Sequence, residues 1–172
     1  MRPISVAALI LLPNLLFADG THFALMNPQV IESRLKALSE DNTEREAIIH
    51  KWFTQSGCSG HITEQTVKHV KQPNLICVLP GRTDRVIIIG AHFDHVAVGE
   101  GAVDNWSGAA LLPSLYQSLK ATPRGHTFVF VAFTAEEQGL VGSHFYVRQM
   151  SPRDVARTEA IPSGPLRRYR LA

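Results

Sequence analysis

The second half of the chain alternates short apolar runs with segments of helical spacing. The apolar runs are NLICVL at 74–79, RVIIIGA at 85–91 and HTFVFVAF at 126–133. The last two have too little polar alternation for either face to meet water, which is typical of central strands. The segments that follow them, SGAALLPSLYQSLK and QGLVGSHFYVRQM, have the pattern of helices. This strand, helix, strand, helix order predicts an α/β fold in which neighbouring strands are parallel.

The first half contains two predicted amphipathic helices. In NPQVIESRLKALSE, Asn27 is placed as a cap, Pro28 occupies the first helical position, and apolar residues follow at helical spacing. In TEREAIIHKWFTQSG, Thr43 and Glu46 have capping-box spacing, and Gly57 marks the end. The tryptophan and phenylalanine of this second helix are expected in the core.

The N-terminal stretch MRPISVAALILLPNLLFADG has the features of a secretory signal peptide. Arg2 precedes a mostly apolar run at 4–17, which Pro13 interrupts, and the small residue Ala18 ends it. The run is too short and too broken for a membrane-spanning helix, and Pro13 also disfavours a buried first helix. We therefore expect residues 1–18 to be a signal peptide and the mature chain to be secreted or periplasmic, without membrane attachment after cleavage.

Composition and charge restrict the class of protein. The chain has 172 residues, 45% of them hydrophobic and 19% charged, which is typical of about one globular domain. Its net charge of +2 is too small to indicate a nucleic-acid surface, so we expect no nucleic-acid partner. In an oxidising compartment Cys58 and Cys77 can form a disulfide; two free buried thiols are the alternative.

Two motifs with histidine and acidic residues stand directly after predicted strands. AHFDH at 91–95 follows RVIIIG, and AEE at 135–137 follows TFVFVAF. In parallel α/β sheets ligands bind at the carboxyl ends of strands, so both motifs should face one crevice, which Asp104 in the intervening GAVDNWSG can also reach. His92, Asp104 and Glu137 then supply one imidazole and two carboxylates, which are ligand types that Zn²⁺ accepts.

Each of these signals is weak by itself. An HxD motif occurs by chance, Asp104 could simply cap the following helix, and a glutamate pair that opens a helix is favoured by the helix dipole. A purely structural role does not explain why all three motifs meet in one crevice, because neighbouring carboxylates repel unless a cation or a proton lies between them. The combined pattern predicts a metal site.

The same motifs, GAHFDHV, GAVDNWSGAALL and FVAFTAEEQGLVGSHFYV, resemble a known family. The run 75–147 is similar to the zinc exopeptidases of the secreted bacterial leucyl aminopeptidase type, whose relatives include glutamate carboxypeptidases and glutaminyl cyclases. The resemblance implies the α/β fold of that family, a central mixed, mostly parallel sheet with helices on both faces. It also implies a peptide substrate and zinc as cofactor, with two ions in the complete site.

The resemblance further implies the role of each site residue. Asp104 would bridge the two zinc ions, His92 would bind one of them, and Glu137 would bind the other. Glu136 would be the general base that takes a proton from the attacking water. Asp94 would hold the His92 imidazole in the ligating tautomer. The two adjacent glutamates would thus divide metal binding and proton transfer between them.

The C-terminal segment departs from the family pattern. The family supplies two further ligands, an aspartate after the next strand and a distal histidine, but the expected strand start TEAI at 158–161 runs into PSGPLRRYRLA at 162–172. We expect residues 19–161 to be the N-terminal part of a zinc peptidase catalytic domain and residues 162–172 to be an atypical basic tail. Truncation or a shifted reading frame is the preferred explanation, and a genuine short basic tail is the alternative.

The sequence therefore predicts a secreted zinc exopeptidase of the aminopeptidase type. Because two family ligands are missing, we expect the 172 residues by themselves to bind zinc weakly and to hydrolyse peptides slowly or not at all. A glutaminyl-cyclase-like enzyme with one zinc is one alternative, although Asp104, Asn105 and the sequence AEEQGL favour the peptidase. A non-catalytic remnant that binds metal weakly or binds a partner protein is the other.

Overall fold

A computed structural model of the chain describes residues 23–60 and 62–160. The predicted signal peptide at 1–18 and the predicted basic tail at 162–172 lie outside these residues. Ten helices and strands follow one another along the described part: α1 (Pro28–Lys36), α2 (Asn42–Phe53), β1 (Ile62–Gln65), β2 (Asn74–Leu79), β3 (Val86–His92), α3 (Ser107–Lys120), β4 (Thr127–Phe133), α4 (Val141–Gln149), α5 (Pro152–Arg157) and β5 (Thr158–Ala160). None of the described helices is long and apolar enough to cross a membrane.

The strands form one mixed sheet in the order β1-β2-β4-β3-β5. Strand β3 pairs in parallel with β4 and β5, while β2 pairs antiparallel with β1 and β4. The register between β3 and β4 runs from Val86 opposite Thr127 to His92 opposite Phe133. The predicted α/β fold with a mixed sheet is confirmed, and the carboxyl ends of β3 and β4 meet at the same edge.

Apolar side chains pack on both faces of this sheet. Five of the seven β4 residues are buried, as the lack of polar alternation predicted. The larger cluster lies between the sheet and helices α2 and α3, and includes Ile49, Phe53, Leu75, Leu112, Tyr116 and Phe130. The smaller cluster covers the opposite face and comprises Val86, Ile88, Val129 and Val131, with Tyr146 and Met150 packed against them. Helices therefore cover both faces, as predicted.

The helix starts follow local capping chemistry. The side chain of Asn27 accepts a hydrogen bond from the Gln29 amide, so the predicted cap of α1 is confirmed. The predicted capping box of α2 is wrong. Asp41 caps that helix by accepting from the amides of Thr43 and Glu44 at 2.6 and 3.2 Å. This places Thr43 inside the first turn, where its own amide is one of the donors that the cap satisfies.

The segment after β4 also differs from the prediction. The pattern QGLVGSHFYVRQM predicts a helix directly after the strand, but α4 begins only at Val141. The residues at 134–140 form a turn, in which Leu140 has a positive φ of 61°. The glutamate pair therefore lies on a loop and not in the first turn of a helix.

Cys58 and Cys77 form the predicted disulfide. Cys58 lies in the turn after α2, whereas Cys77 lies within β2, and both are fully buried. The bridge ties the N-terminal helices to the sheet across a sequence separation of 19 residues.

Reduction of this disulfide should lower the free energy of unfolding by about 3 kcal/mol, because a loop of this length regains its conformational entropy in the unfolded chain. Urea unfolding of the oxidised and the reduced protein measures the difference. The double variant Cys58→Ser/Cys77→Ser is the control, since its midpoint should not respond to reductant. An identical urea midpoint for oxidised and reduced wild type would contradict the expected contribution.

Candidate metal centre

His92 is the last residue of β3, and its side chain is only 8% exposed. Its Nδ1 atom lies 3.1 Å from the main-chain oxygen of Asp94. A carbonyl oxygen can only accept, so Nδ1 carries the hydrogen and donates it. The other ring nitrogen, Nε2, faces Asp104 Oδ1 at 3.0 Å. The loop after β3 thus fixes the ring so that Nε2 points at the predicted site.

The carboxylate of Asp94 links the two loops that carry the site. It is buried, with Oδ1 accepting from the Glu136 amide at 3.1 Å and Oδ2 accepting from the Glu137 amide at 3.2 Å. Burial by itself raises the pKa of Asp94, but the adjacent His92 ring and the hydrogen bonds from the two amides outweigh burial and lower the pKa. An ionised Asp94 therefore holds both glutamates in place.

The contacts of Asp94 differ in part from those that the resemblance implied. The resemblance implied that Asp94 orients the His92 imidazole, and here the main-chain oxygen of Asp94 makes the shorter contact with it. The carboxylate lies 3.6 Å from Nδ1 and makes its bonds to the backbone of Glu136 and Glu137. No sequence spacing could show this, since the partners are more than forty positions apart.

Asp104 lies in an irregular turn at 102–106, between β3 and α3. Helix α3 begins only at Ser107 and its N-cap is Trp106, so Asp104 does not cap that helix. The buried ring of Trp106 anchors the turn, because its Nε1 donates to two main-chain oxygens of α1, each at 3.2 Å. The Asp104 side chain is 82% exposed and projects from this anchored turn beside His92.

The loop that carries the glutamates is held at both ends by Asn74. This side chain is fully buried; its Oδ1 accepts from the Thr134 amide and its Nδ2 donates to the Gly142 oxygen, both at 3.0 Å. Within the loop Ala135 has a positive φ of 51°, an unusual conformation for a residue with a Cβ atom. In the sequence Asn74 stands at the start of the apolar run NLICVL, and its role at the glutamate loop was not predicted. A polar residue at the head of a buried strand was the available signal.

The three predicted ligands lie together in the structure. One donor atom each from His92, Asp104 and Glu137 can be chosen so that all lie within 4.8 Å of one another. Within residues 23–60 and 62–160 this is the one such group of three or more histidine, cysteine or acidic side chains. Glu136 lies outside the group, although its Oε2 is 3.6 Å from His92 Nε2.

The charges around His92 favour a cation at this position. Burial by itself lowers the pKa of His92, but the adjacent Asp94 carboxylate, the charge of Glu136 and the hydrogen bond with Asp104 outweigh burial and raise the pKa to about 9. A proton thus partly compensates the converging carboxylates. A metal ion would take the place of this proton, and one imidazole with two carboxylates is a donor set that fits zinc.

The fold and the site together agree with a known peptidase family. The family model described as Peptidase family M28 matches residues 74–161, just over half of the 172-residue chain. The chain belongs to peptidase family M28. All five predicted site residues, from His92 to Glu137, lie inside the matched range, and the resemblance to zinc exopeptidases is confirmed.

Individual relatives agree with this assignment. Aminopeptidase YwaD of Bacillus subtilis strain 168 is 34% identical over 97 residues, which are 56% of this chain and 20% of the relative. The solved structure of BSAP, a zinc aminopeptidase from Bacillus subtilis, is 33% identical with a TM-score of 0.50, over 52% of this chain and 23% of its own. The chain thus spans about a fifth of the length of these relatives.

A more distant structure extends the likeness of the fold. A glutaminyl cyclase from an Acidobacteriales bacterium matches with a TM-score of 0.65 over 84% of this chain and 59% of its own, at 20% sequence identity. At that identity the match concerns the architecture. It includes most of the chain and supports the assignment of the mixed α/β sheet.

The variant Asp94→Asn should weaken zinc binding about 10- to 100-fold, the usual cost of losing a group that orients metal ligands. The amide would present a hydrogen-bond donor to one of the two glutamate amides and remove the charge beside His92. Competition with a chromophoric chelator measures the affinity. The control is Asp84→Asn, which makes the same charge change on an exposed side chain in the loop before β3. Equal zinc affinity in Asp94→Asn and wild type would contradict this prediction.

Proposed function

We propose that this site serves zinc-dependent hydrolysis of N-terminal residues from peptides. The observation that carries the proposal is the different placement of the two adjacent glutamates. Glu137 contributes to the group of donor atoms, whereas Glu136 stays outside it and next to His92. A hydrolase that uses a metal needs both a ligand and a separate general base, and this pair provides them from one loop. Membership of family M28 and the aminopeptidase relatives support the same activity.

In this proposal His92, Asp104 and Glu137 hold the metal. A bound zinc ion supplies a Lewis acid that polarises the peptide carbonyl and lowers the pKa of water. The number of ions, two in the family site, rests on the resemblance. The peptide nature of the substrate rests on the family, and the choice of the aminopeptidase reaction rests on the relatives.

Glu136 is the residue that we assign as general base. Its side chain is 31% exposed, so the carboxylate can meet water and substrate. Its main-chain amide donates a hydrogen bond to the Asp94 carboxylate, which fixes the position of the Glu136 backbone and so of the Cα atom that carries the side chain. From there it takes a proton from the attacking water and returns it to the leaving amine as the peptide bond breaks.

The two glutamates should differ when each is changed to glutamine. In a version of the chain extended with the family's missing strands and ligands, Glu136→Gln should abolish the hydrolysis of leucyl-p-nitroanilide but keep zinc, because the base is lost and the donor group is intact. Glu137→Gln should lose zinc affinity, because a neutral amide replaces a ligand carboxylate. Zinc titration and the chromogenic assay on the same preparations measure both effects. Loss of zinc in Glu136→Gln, or undiminished hydrolysis by it, would contradict the assigned roles.

The assay also separates the alternatives. A glutaminyl-cyclase-like enzyme would convert an N-terminal glutaminyl peptide to its cyclic product and leave the leucyl substrate intact. A non-catalytic remnant would convert neither substrate at any zinc concentration.

We also propose that the protein is exported. The proposal rests on the apolar run and the small residue Ala18 near the N-terminus, and it agrees with a disulfide, which persists in oxidising compartments.

Export predicts that the mature chain begins at or near Asp19. N-terminal sequencing of protein recovered from the culture medium or the periplasm measures the start. An exported product that still begins with Met1 would contradict cleavage after Ala18.

A further inference from the structure

Arg45 of α2 is fully buried, although a guanidinium is costly to remove from water. Its donors reach three main-chain oxygens. Nε donates to Ser39 at 2.5 Å, Nη1 to Phe93 at 3.2 Å and Nη2 to Glu100 at 2.5 Å. The guanidinium also lies over the ring of Trp106, 5.5 Å from its centroid. These contacts give hydrogen-bond acceptors to the buried guanidinium. They depend on its planar arrangement of several N–H donors, which among the side chains only arginine has.

Two of these oxygens belong to the loop that follows β3. Phe93 lies between His92 and Asp94, and Glu100 ends the same loop just before the turn that carries Asp104. One side chain therefore holds both ends of the loop at 93–100 and packs on the tryptophan that anchors the next turn.

The position of Gly101 shows how closely Arg45 fits against this backbone. Gly101 has a positive φ of 58°, and a Cβ atom there would lie 2.7 Å from His95 Cβ, 3.0 Å from the Asp104 oxygen and 3.2 Å from Arg45 Nη1. The chain thus passes between the guanidinium and the ligand turn with no room for a side chain.

A second residue of the same helical turn holds the middle of the loop. The Asn42 side chain accepts from the His95 amide at 3.1 Å and donates to the His95 oxygen at 3.2 Å. Asn42 and Arg45 are three positions apart, so they lie on one face of α2. Together they make four hydrogen bonds to the backbone of the loop.

We propose that Arg45 is a positioning residue that fixes the His92 ligand relative to the Asp104 ligand and so sets zinc affinity. The inference rests on the proposed zinc site. It extends the functional part of the chain to α2, which precedes the range matched by the family model. Without the guanidinium, the loop at 93–100 would lose its hydrogen bonds to α2 at both ends. The donor atoms of His92 and Asp104 would then no longer be held close to each other.

The test compares Arg45→Lys and Arg45→Met with a matched control, Arg124→Met. The guanidinium of Arg124 also donates to main-chain oxygens, those of Leu119 at 3.3 Å and Pro80 at 2.9 Å, but Arg124 precedes β4 at the edge of the sheet opposite the metal loops. Zinc alone is titrated against a chromophoric chelator, and the absorption bands of bound cobalt(II) report the ligand geometry. Thermal unfolding records the loss of stability in each variant.

We expect zinc affinity to fall about tenfold in Arg45→Lys, and further in Arg45→Met, in the range seen when groups that support metal ligands are removed. The cobalt bands should shift in both. Arg124→Met should lose stability but keep wild-type affinity and bands. Arg45 variants with wild-type affinity and bands would overturn the inference, and so would an equal loss of affinity in Arg124→Met.

Asn42→Ala tests the same inference if the Arg45 variants do not fold. It removes two hydrogen bonds from the loop without leaving a buried charge, so the variant should fold. Its zinc affinity should fall by roughly tenfold or slightly less, which is the smallest loss usual for a residue that supports metal ligands. Wild-type affinity in Asn42→Ala would then overturn the inference. A wild-type chain that binds no zinc would contradict the proposed metal site itself, whereas unaffected variants of a zinc-binding chain would contradict only the role of α2.

Discussion

The bonds from the buried Asp94 carboxylate to the amides of Glu136 and Glu137 are the interaction on which the site depends. They join the loop after β3 to the loop after β4, which are adjacent because these strands pair in parallel with their ends in register. A carboxylate that accepts two amide hydrogens remains ionised despite burial, so it can also attract a cation or a protonated imidazole. The backbone of one loop is thereby fixed relative to the histidine of the other.

The rest of the site is supported in the same way, by polar side chains that bind backbone. Asn74 spans the ends of the glutamate loop, Arg45 spans the ends of the loop after β3, and Trp106 ties the turn of Asp104 to α1. Each anchor is buried; Asn74 and Arg45 come from elements that carry no ligand, and Trp106 lies two residues after Asp104 in the same turn. A loop held at both ends has few conformations left to lose when a metal binds, which favours affinity.

Much of the site followed from local sequence. The motifs HFD, GAVDN and AEE stand where apolar runs end, and the direction of parallel strands brings such ends to one edge, so the meeting of His92, Asp104 and Glu137 could be predicted. The cap of α2 could not be predicted in this way. Asp41 and Thr43 are both good capping residues, and the path by which the chain enters the helix decides which of them is the N-cap. The start of α4 was also missed, because its helical pattern continues through a turn that tertiary bonds to Asp94 and Asn74 hold open.

The sequence by itself determined the class of fold, the family and the identity of the candidate ligands, because periodicity and short motifs record contacts between residues that are near in the chain. Only the tertiary structure decided what holds those ligands in place. Asn42 and Arg45 lie about fifty residues from the backbone groups they bind in the loop after β3, and Asn74 lies about sixty residues from the loop it spans. A main-chain oxygen has the same chemistry at every position, so no side-chain pattern in the sequence identifies which one a buried arginine will meet.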